Sequence, residues 1–403
     1  MEIYIARQPI FDKNMHVFAY ELLYRSGTQN VATADGDSAT STVIINSMML
    51  IGLENLTDQK KAFVNFTYNL LVNGTATVFD PNLVVVEVLE NIAPDPKLLT
   101  SLDNLKSAGF TIALDDYVAD YHYEDIVERS DIIKVDFMLS TPDEIRTIAK
   151  RFAKSRIQLL AEKVETYEQF KEAVQLGYTY FQGYFFSKPN IVSTKDVQGF
   201  QVSQVQILNE LNAEEPDIRR IADIIEKDLA LSYKLLRLVN SAAYYSKTRI
   251  ASIQQALVRV GLKEIRKWIM LIMLRDAGKD KPEELVRISL IRGRTLELMA
   301  PTMKLKNRSP ELFLVGLFSM IDTILSKPMT EIVEELPFEQ EIKAALLGEH
   351  NVLNHALELF VAYEQGNWEK LKEGSNLVSV DAFAKSYYEA LAWTREIFAG
   401  DVV

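Results

Sequence analysis

The sequence predicts an α/β fold followed by an all-α one: a TIM-like (β/α) barrel over residues 1–195, then a helical domain over residues 196–403. Three observations lead there. The first half alternates short apolar, β-branched runs with amphipathic stretches. From about residue 197 that alternation stops and the chain reads as helix almost throughout. At 403 residues the chain is too long for one ordinary domain and suits two.

Candidate strands appear in the order "EIYIA", "HVFAYELL", "AFVNF", "LVVVEVLE", "FTIALDD", "IIKVDF", "IQLLAEKV" and "YFQGYFF". Helical spacing marks "PDEIRTIAKRFAKS" and "TYEQFKEAVQLG" between them, the latter with a terminal glycine as stop. Strands that are apolar nearly throughout imply a parallel sheet covered on both faces, and eight of them in about 190 residues suggest a closed barrel. In the second half, segments such as "IRRIADIIEKDLALSYKLLRLVNSAAYY", "SIQQALVRVGLKEIRKWIMLIML" and "ELFLVGLFSMIDTIL" are helical. Pro216, Pro301, Pro310, Pro328 and Pro337 fall between the helical blocks, where proline belongs.

Composition narrows the function classes. Hydrophobic residues make up 48% and charged ones 25%, as in a globular protein with ample core. A net charge of −12 argues against a general nucleic-acid or anionic-membrane surface. Without cysteine there are no disulfides or thiolate sites, which suits a reducing compartment. The opening "MEIYIARQPIF" lacks the pattern of a secretory leader, and no apolar run reaches the roughly 20 residues that span a bilayer. A cytoplasmic location is the expectation.

Polar residues at the strand ends carry the functional reading. They are Glu21, Asn65, Glu87 with Glu90, Asp115 with Asp116, Lys134 with Asp136, Glu162 with Glu165, and Gln182. In a parallel barrel these ends converge on one face. An oxygen-rich ring of that kind suits Mg²⁺ or Mn²⁺, and adjacent aspartates can share two ions, the arrangement used to split phosphodiesters. The alternative is that individual acids cap the helices that follow.

These residues stand in motifs that resemble the EAL domain, the bacterial cyclic di-GMP phosphodiesterase family, over about residues 1–190. "RQPIF", "YELLYR", "FVNF", "VVEVLEN", "ALDDY", "DIIKVD", "LLAEKVET" and "FQGYFFSKP" follow in the family's order. The resemblance implies ligation of two ions, Mg²⁺ or Mn²⁺, by Glu21, Asn65, Glu87, Asp115 and Asp116. It implies that Lys134 and Glu162 position and deprotonate the attacking water and that Gln182 orients the water network. Gln8 and Arg25 would hold the ligand, and Glu90 would anchor the loop after the aspartates. The implied reaction converts cyclic di-GMP to linear pGpG; the alternative is an inactive barrel that senses cyclic di-GMP and signals through the helical domain. A homodimer is a further expectation, since the family commonly dimerises.

Three departures stand out. The first motif reads Glu-Leu-Leu rather than Glu-Ala-Leu. Lys163 replaces the family's usual glycine, where it faces either phosphate or solvent. After Asp115-Asp116 the family's glycine-containing loop is replaced by Tyr117-Val118-Ala119-Asp120-Tyr121-His122-Tyr123-Glu124-Asp125. Without glycines, a left-handed position there is strained, or the loop has another shape.

The helical half, from about residue 197 to 403, resembles the HDOD domain, a module related to HD phosphohydrolases. Ser319-Met320 stands where those enzymes place a His-Asp pair, and this half holds only His350 and His355. The resemblance implies a non-catalytic domain for regulation or for binding a protein partner. Asn240 and Ser241 are polar candidates there, as contacts or as a helix cap, and "KEIRKW" reads as a nucleic-acid contact or a solvated helix face.

Overall fold

The computed structural model describes residues 3–26, 52–187, 202–239, 252–279, 281–373 and 380–399. Eight strands close into one barrel in sequence order: β1 Ile3–Asp12, β2 Val17–Ser26, β3 Lys61–Phe66, β4 Val84–Val88, β5 Thr111–Leu114, β6 Ile132–Asp136, β7 Gln158–Glu162 and β8 Tyr180–Phe181. Every predicted apolar run lies on its own strand. β4 and β6 are buried along their whole length, as strands covered by helices on one side and core on the other must be.

The sheet is not wholly parallel. β1 runs antiparallel to both β2 and β8, while the other neighbours pair in parallel. The cause is local. The link between β1 and β2 is a tight turn in which Asp12 accepts hydrogen bonds from the Asn14 and His16 amides, at 2.8 and 3.0 Å. So short a link joins antiparallel neighbours only, whereas a parallel crossover needs a dozen or more residues.

One inward side chain from each strand fills the barrel: Ile10, Ala19, Phe63, Val85, Ala113, Ile132, Leu160 and Tyr180. Outside it lie helices α1 Leu53–Thr57, α2 Tyr68–Val72, α3 Pro96–Ser107, α4 Glu124–Arg129, α5 Pro142–Phe152 and α6 Tyr167–Leu176. Their ends follow the sequence signals. Thr141 and Thr166 form capping boxes with Glu144 and Gln169, and Gly177 closes α6 in the left-handed conformation.

The chain divides into two compact units, one comprising Met1–Lys188 with Val361–Ser375, the other Pro189–Phe360 with Asn376–Val403. The border expected at 195/196 lies outside the described residues. Within the first unit, the buried Tyr363 hydroxyl donates to the Ile5 carbonyl of β1 at 3.0 Å, and its ring meets Trp368 edge-on at 5.4 Å. A short segment from far along the chain thus completes the barrel unit.

The second unit is helical among its described residues. Asp217 and Ser252 cap the helices Ile218–Lys227 and Ile253–Val260. In Leu262–Ala277, Trp268 to Leu274 are all buried, so this helix is surrounded by others. Gly316 of Ser309–Phe318 lies against Gly293 of Glu283–Met299, and a Cβ on Gly316 would sit 2.6 Å from the Gly293 nitrogen. The predicted helix "ELFLVGLFSMIDTIL" is broken after Phe318. There the Ser319 hydroxyl accepts from Arg292 at 3.1 Å and donates to the Gly316 carbonyl at 2.8 Å. "KEIRKW" is not a solvated face: Arg266 donates to the Leu211 carbonyl, Lys267 pairs with Glu297, and Trp268 is buried. Asn240 and Ser241 lie outside the described residues.

Gly183 holds the tightest approach in the barrel. Its φ is 143°, and a Cβ there would lie 2.2 Å from the Val164 carbonyl oxygen. Gly183→Ala is expected to cost about 2–3 kcal/mol, since backbone cannot step aside as a flexible side chain can. Thermal unfolding checks this; an unchanged midpoint would refute the tight approach.

Candidate active site

A two-residue step from the barrel's filled layer builds the site. Side chains on one face of a strand recur every second residue. Moving from Ala19, Phe63, Val85, Ala113, Ile132, Leu160 and Tyr180 gives Glu21, Asn65, Glu87, Asp115, Lys134, Glu162 and Gln182. On antiparallel β1 the step runs backwards, from Ile10 to Gln8, which pairs with Glu21 across the strands. One layer is apolar and holds the barrel shut; the next is polar, with four carboxylates, three amides and one ammonium.

Lys134 is the centre of that layer. Its Nζ lies 2.6 Å from Glu87 Oε1, 2.8 Å from Asp115 Oδ1, 2.8 Å from Glu162 Oε1 and 3.6 Å from Glu21 Oε1. Glu21 Oε2 accepts from Gln182 Nε2 at 2.6 Å, and the same amide group donates to Gln8 Oε1 at 3.0 Å. Glu21, Glu87, Lys134, Glu162 and Gln182 are all buried. The Arg25 side chain lies outside the described residues.

Burial without enough positive charge sets the electrostatics. Burial lifts Glu87 well above its ordinary value, with Lys134 opposing and Glu21 and Asp115 reinforcing. Glu162 is raised to about 8 for the same reason, Lys134 again opposing and Asp115 and Glu21 adding to the rise. Burial would lower Lys134, but Asp115, Glu162, Glu21 and Glu87 together hold it well above the usual lysine range, so it stays an ammonium. Asp116 is raised to about 6 by burial and by Asp115.

The donor set fits a hard divalent cation. Asn65 Oδ1, Gln182 Oε1 and Glu87 Oε2 are buried and accept no hydrogen bond. Orphaned oxygens of this sort are what an oxygen-loving ion satisfies. Carboxylate oxygens of Glu90, Asp115 and Asp116 come within 4.8 Å of one another, forming an acidic trio at the mouth. The predicted metal residues therefore form two neighbouring groups that share Asp115. Glu90 faces the aspartates, and its charge also reaches Tyr121 of the loop, whose hydroxyl is raised above the ordinary tyrosine value by burial first and by Tyr123 and Glu90 after it.

That loop has a shape of its own. Asp116 takes the left-handed position at φ 39°, and no residue from 117 to 125 has a positive φ. Tyr117 is buried, with its ring 5.5 Å from Tyr121 and 5.6 Å from Phe152; Tyr121 in turn meets Tyr123 at 5.6 Å. His122 is exposed. Lys163 also adopts a left-handed backbone, φ 51°, at a position that suits glycine. Its ammonium pairs with the buried Asp136, which also accepts from the Met138 and Leu139 amides at 2.7 and 3.0 Å. Sequence reasoning missed this pair, and the only signal was Asp136 standing two residues past Lys134. It also missed Tyr24, whose hydroxyl donates to the Asn65 carbonyl and fixes the strand end that carries Asn65.

The arrangement defines a (β/α) barrel with a strand-end layer of oxygen donors that suits a hard cation. Residues 52–189 match the EAL domain and residues 200–353 match the HDOD domain. The YuxH protein of Bacillus subtilis is 41% identical over 407 residues, covering 98% of this chain and 99% of its own. The cyclic di-GMP phosphodiesterase CdgJ of Vibrio cholerae is 32% identical over 400 residues, covering 98% and 93%. Among solved structures, the EAL-domain protein YkuI of Bacillus subtilis, in complex with cyclic di-GMP and calcium, is 19% identical over 57% of this chain and 71% of its own, with a TM-score of 0.40. The chain belongs to the EAL–HDOD family. No described helix is long and apolar enough to cross a membrane.

A pH dependence follows from Glu162. Its folded value, about 8, lies above the ordinary 4.5, so between those limits the folded state keeps a proton that the unfolded chain releases. The contribution of Glu162 to the stability of the ion-free protein is therefore fully present below about pH 4.5 and is lost as pH rises to about 8. Glu162→Gln is expected to flatten that part of the fall. Thermal unfolding at pH 5 and pH 8 with chelator present measures it, and a variant with the wild-type slope would contradict the assignment.

Proposed function

We propose that the barrel hydrolyses cyclic di-GMP to linear pGpG with a divalent cation, Mg²⁺ or Mn²⁺, at two positions that share Asp115. The single observation that carries this reading is the complete polar layer around Lys134, with one member from each of the eight strands. Full-length likeness to CdgJ supports the substrate. Glu21, Asn65, Glu87 and Asp115 would hold one cation, and Asp115 with Asp116 the other. Bound there, the cations supply Lewis acidity, which lowers the pKa of water and neutralises charge on the phosphoryl oxygens.

The chain's own groups do the rest. Glu162 takes the proton of the attacking water; a carboxylate held near the working pH can both accept and return a proton. Lys134, kept charged by its neighbours, holds Glu162 in place and adds positive charge beside the reacting phosphate. Gln182 is fixed through Glu21 and Gln8, which leaves its buried Oε1 to orient water. Gln8 and Arg25 hold the nucleotide. The 1–195 barrel works in the cytoplasm, and the 196–403 helical domain binds a protein partner; the protein acts as a homodimer.

Purified full-length protein incubated with cyclic di-GMP and Mg²⁺ or Mn²⁺ is expected to form pGpG. Glu21→Ala should abolish the product, and Glu162→Gln should slow it by roughly 10²-fold or more. Binding of cyclic di-GMP without pGpG would overturn hydrolysis in favour of a sensor, and equal product from Glu21→Ala would trace it to a contaminant.

A further inference from the structure

We propose that Arg151 is a positioning residue for Asp115 and Asp116, acting through the hydroxyl of Tyr117. This rests on the proposed role of the two aspartates in holding a cation. Asp115 and Tyr117 flank the left-handed Asp116, and backbone hydrogen bonds stitch both to neighbouring strands. The Asp115 amide donates to the Val88 carbonyl and the Tyr117 amide to the Lys134 carbonyl, each at 2.9 Å. Between those stitches, Asp116 holds φ 39° without being glycine. Such a residue costs roughly 1–2 kcal/mol and persists only where its surroundings over-determine it.

Tyr117 supplies the over-determination. Its side chain is 1% exposed and lies between Tyr121 and Phe152. Arg151, on the last turn of α5, donates from Nη1 to the Tyr117 hydroxyl at 2.6 Å. Its Nη2 donates to both carboxylate oxygens of Glu124, each at 2.6 Å, which fixes the plane of the guanidinium. Glu124 opens α4, the helix that ends the loop. One guanidinium therefore holds the first residue after the aspartates and the first residue of α4 at once. The Arg151–Glu124 pair is largely exposed and contributes little on its own. The bond to Tyr117 points inward and sets where the Asp116 carboxylate stands relative to Glu90 and Asp115.

The loop lacks glycine, so its geometry is not relaxed by backbone freedom; it is imposed from outside by α5. Replacing Tyr117 by Phe removes one hydroxyl and leaves the ring packing in place. That variant separates positioning from folding.

The test is calorimetric titration of Mn²⁺ into the full-length protein without nucleotide, beside thermal unfolding of each variant. Tyr117→Phe and Arg151→Ala are expected to weaken Mn²⁺ binding by about tenfold, the lower end for groups behind a metal ligand. The double variant should lose no more than either alone, Arg151→Lys should recover part of the affinity, and Glu124→Gln should bind as wild type. In cyclic di-GMP hydrolysis the same variants should lower kcat with little change in KM. Wild-type affinity in both Tyr117→Phe and Arg151→Ala overturns the proposal, as do fully additive losses in the double variant. Wild-type protein that takes up no Mn²⁺ overturns the proposed function itself, and this inference with it. Should Arg151→Ala fail to fold, Tyr117→Phe alone decides.

Discussion

Everything at the mouth of this barrel depends on one buried ammonium. Four carboxylates, from β2, β4, β7 and the end of β5, point at Lys134, and nothing else inside the layer carries positive charge. Ions taken out of water cost several kcal/mol each unless paired and hydrogen-bonded. A single lysine cannot satisfy four acids. The layer responds by raising the proton affinity of Glu87 and Glu162 and by leaving several oxygens without donors. The apolar layer beneath fixes all eight strands, so the polar layer cannot relax by moving apart. It is held in a state that further positive charge would stabilise.

The same tension explains the surroundings. Asp136 stands one step further along β6 than Lys134 and is buried too, yet it is met by Lys163 and by two backbone amides. Lys163 reaches it from a left-handed backbone that glycine would adopt more easily. A cation has been placed there at some local conformational cost, and it serves a neighbouring acid while staying half exposed to solvent. Asp116 shows a like trade, its strained backbone held by a tyrosine ring and an arginine instead of by glycine freedom.

Much of this was legible in the sequence because it follows a period of two. Once a strand's inward apolar residue is known, the residue two further on is the site residue, and "AYE", "FVN", "VVE", "ALD", "IIK", "LAE" and "YFQ" all obey this. Gln8 obeys it in reverse, and the reversal was hidden because an all-parallel sheet was expected; the brevity of "DKNMH" between two strands was the available clue. What could not be read were contacts between residues far apart in sequence. Nothing in "AKRFAK" announces that Arg151 reaches Tyr117, nor in "EKV" that Lys163 reaches Asp136. "KEIRKW" misled for the same reason: its charges find partners on other helices of its own unit.

The Tyr363–Ile5 hydrogen bond has a consequence for how the protein is made. Its two residues are 358 positions apart, so the first strand leaves the ribosome long before its distant partner exists. At roughly 5–20 residues per second the interval is about 20–70 s. All eight strands are synthesised within that interval, and the barrel unit waits for its last piece while the helical unit is still being translated. The nascent barrel is therefore a stage at which β1 lacks one of its hydrogen bonds, and that bond forms only after most of the intervening helical unit has been made.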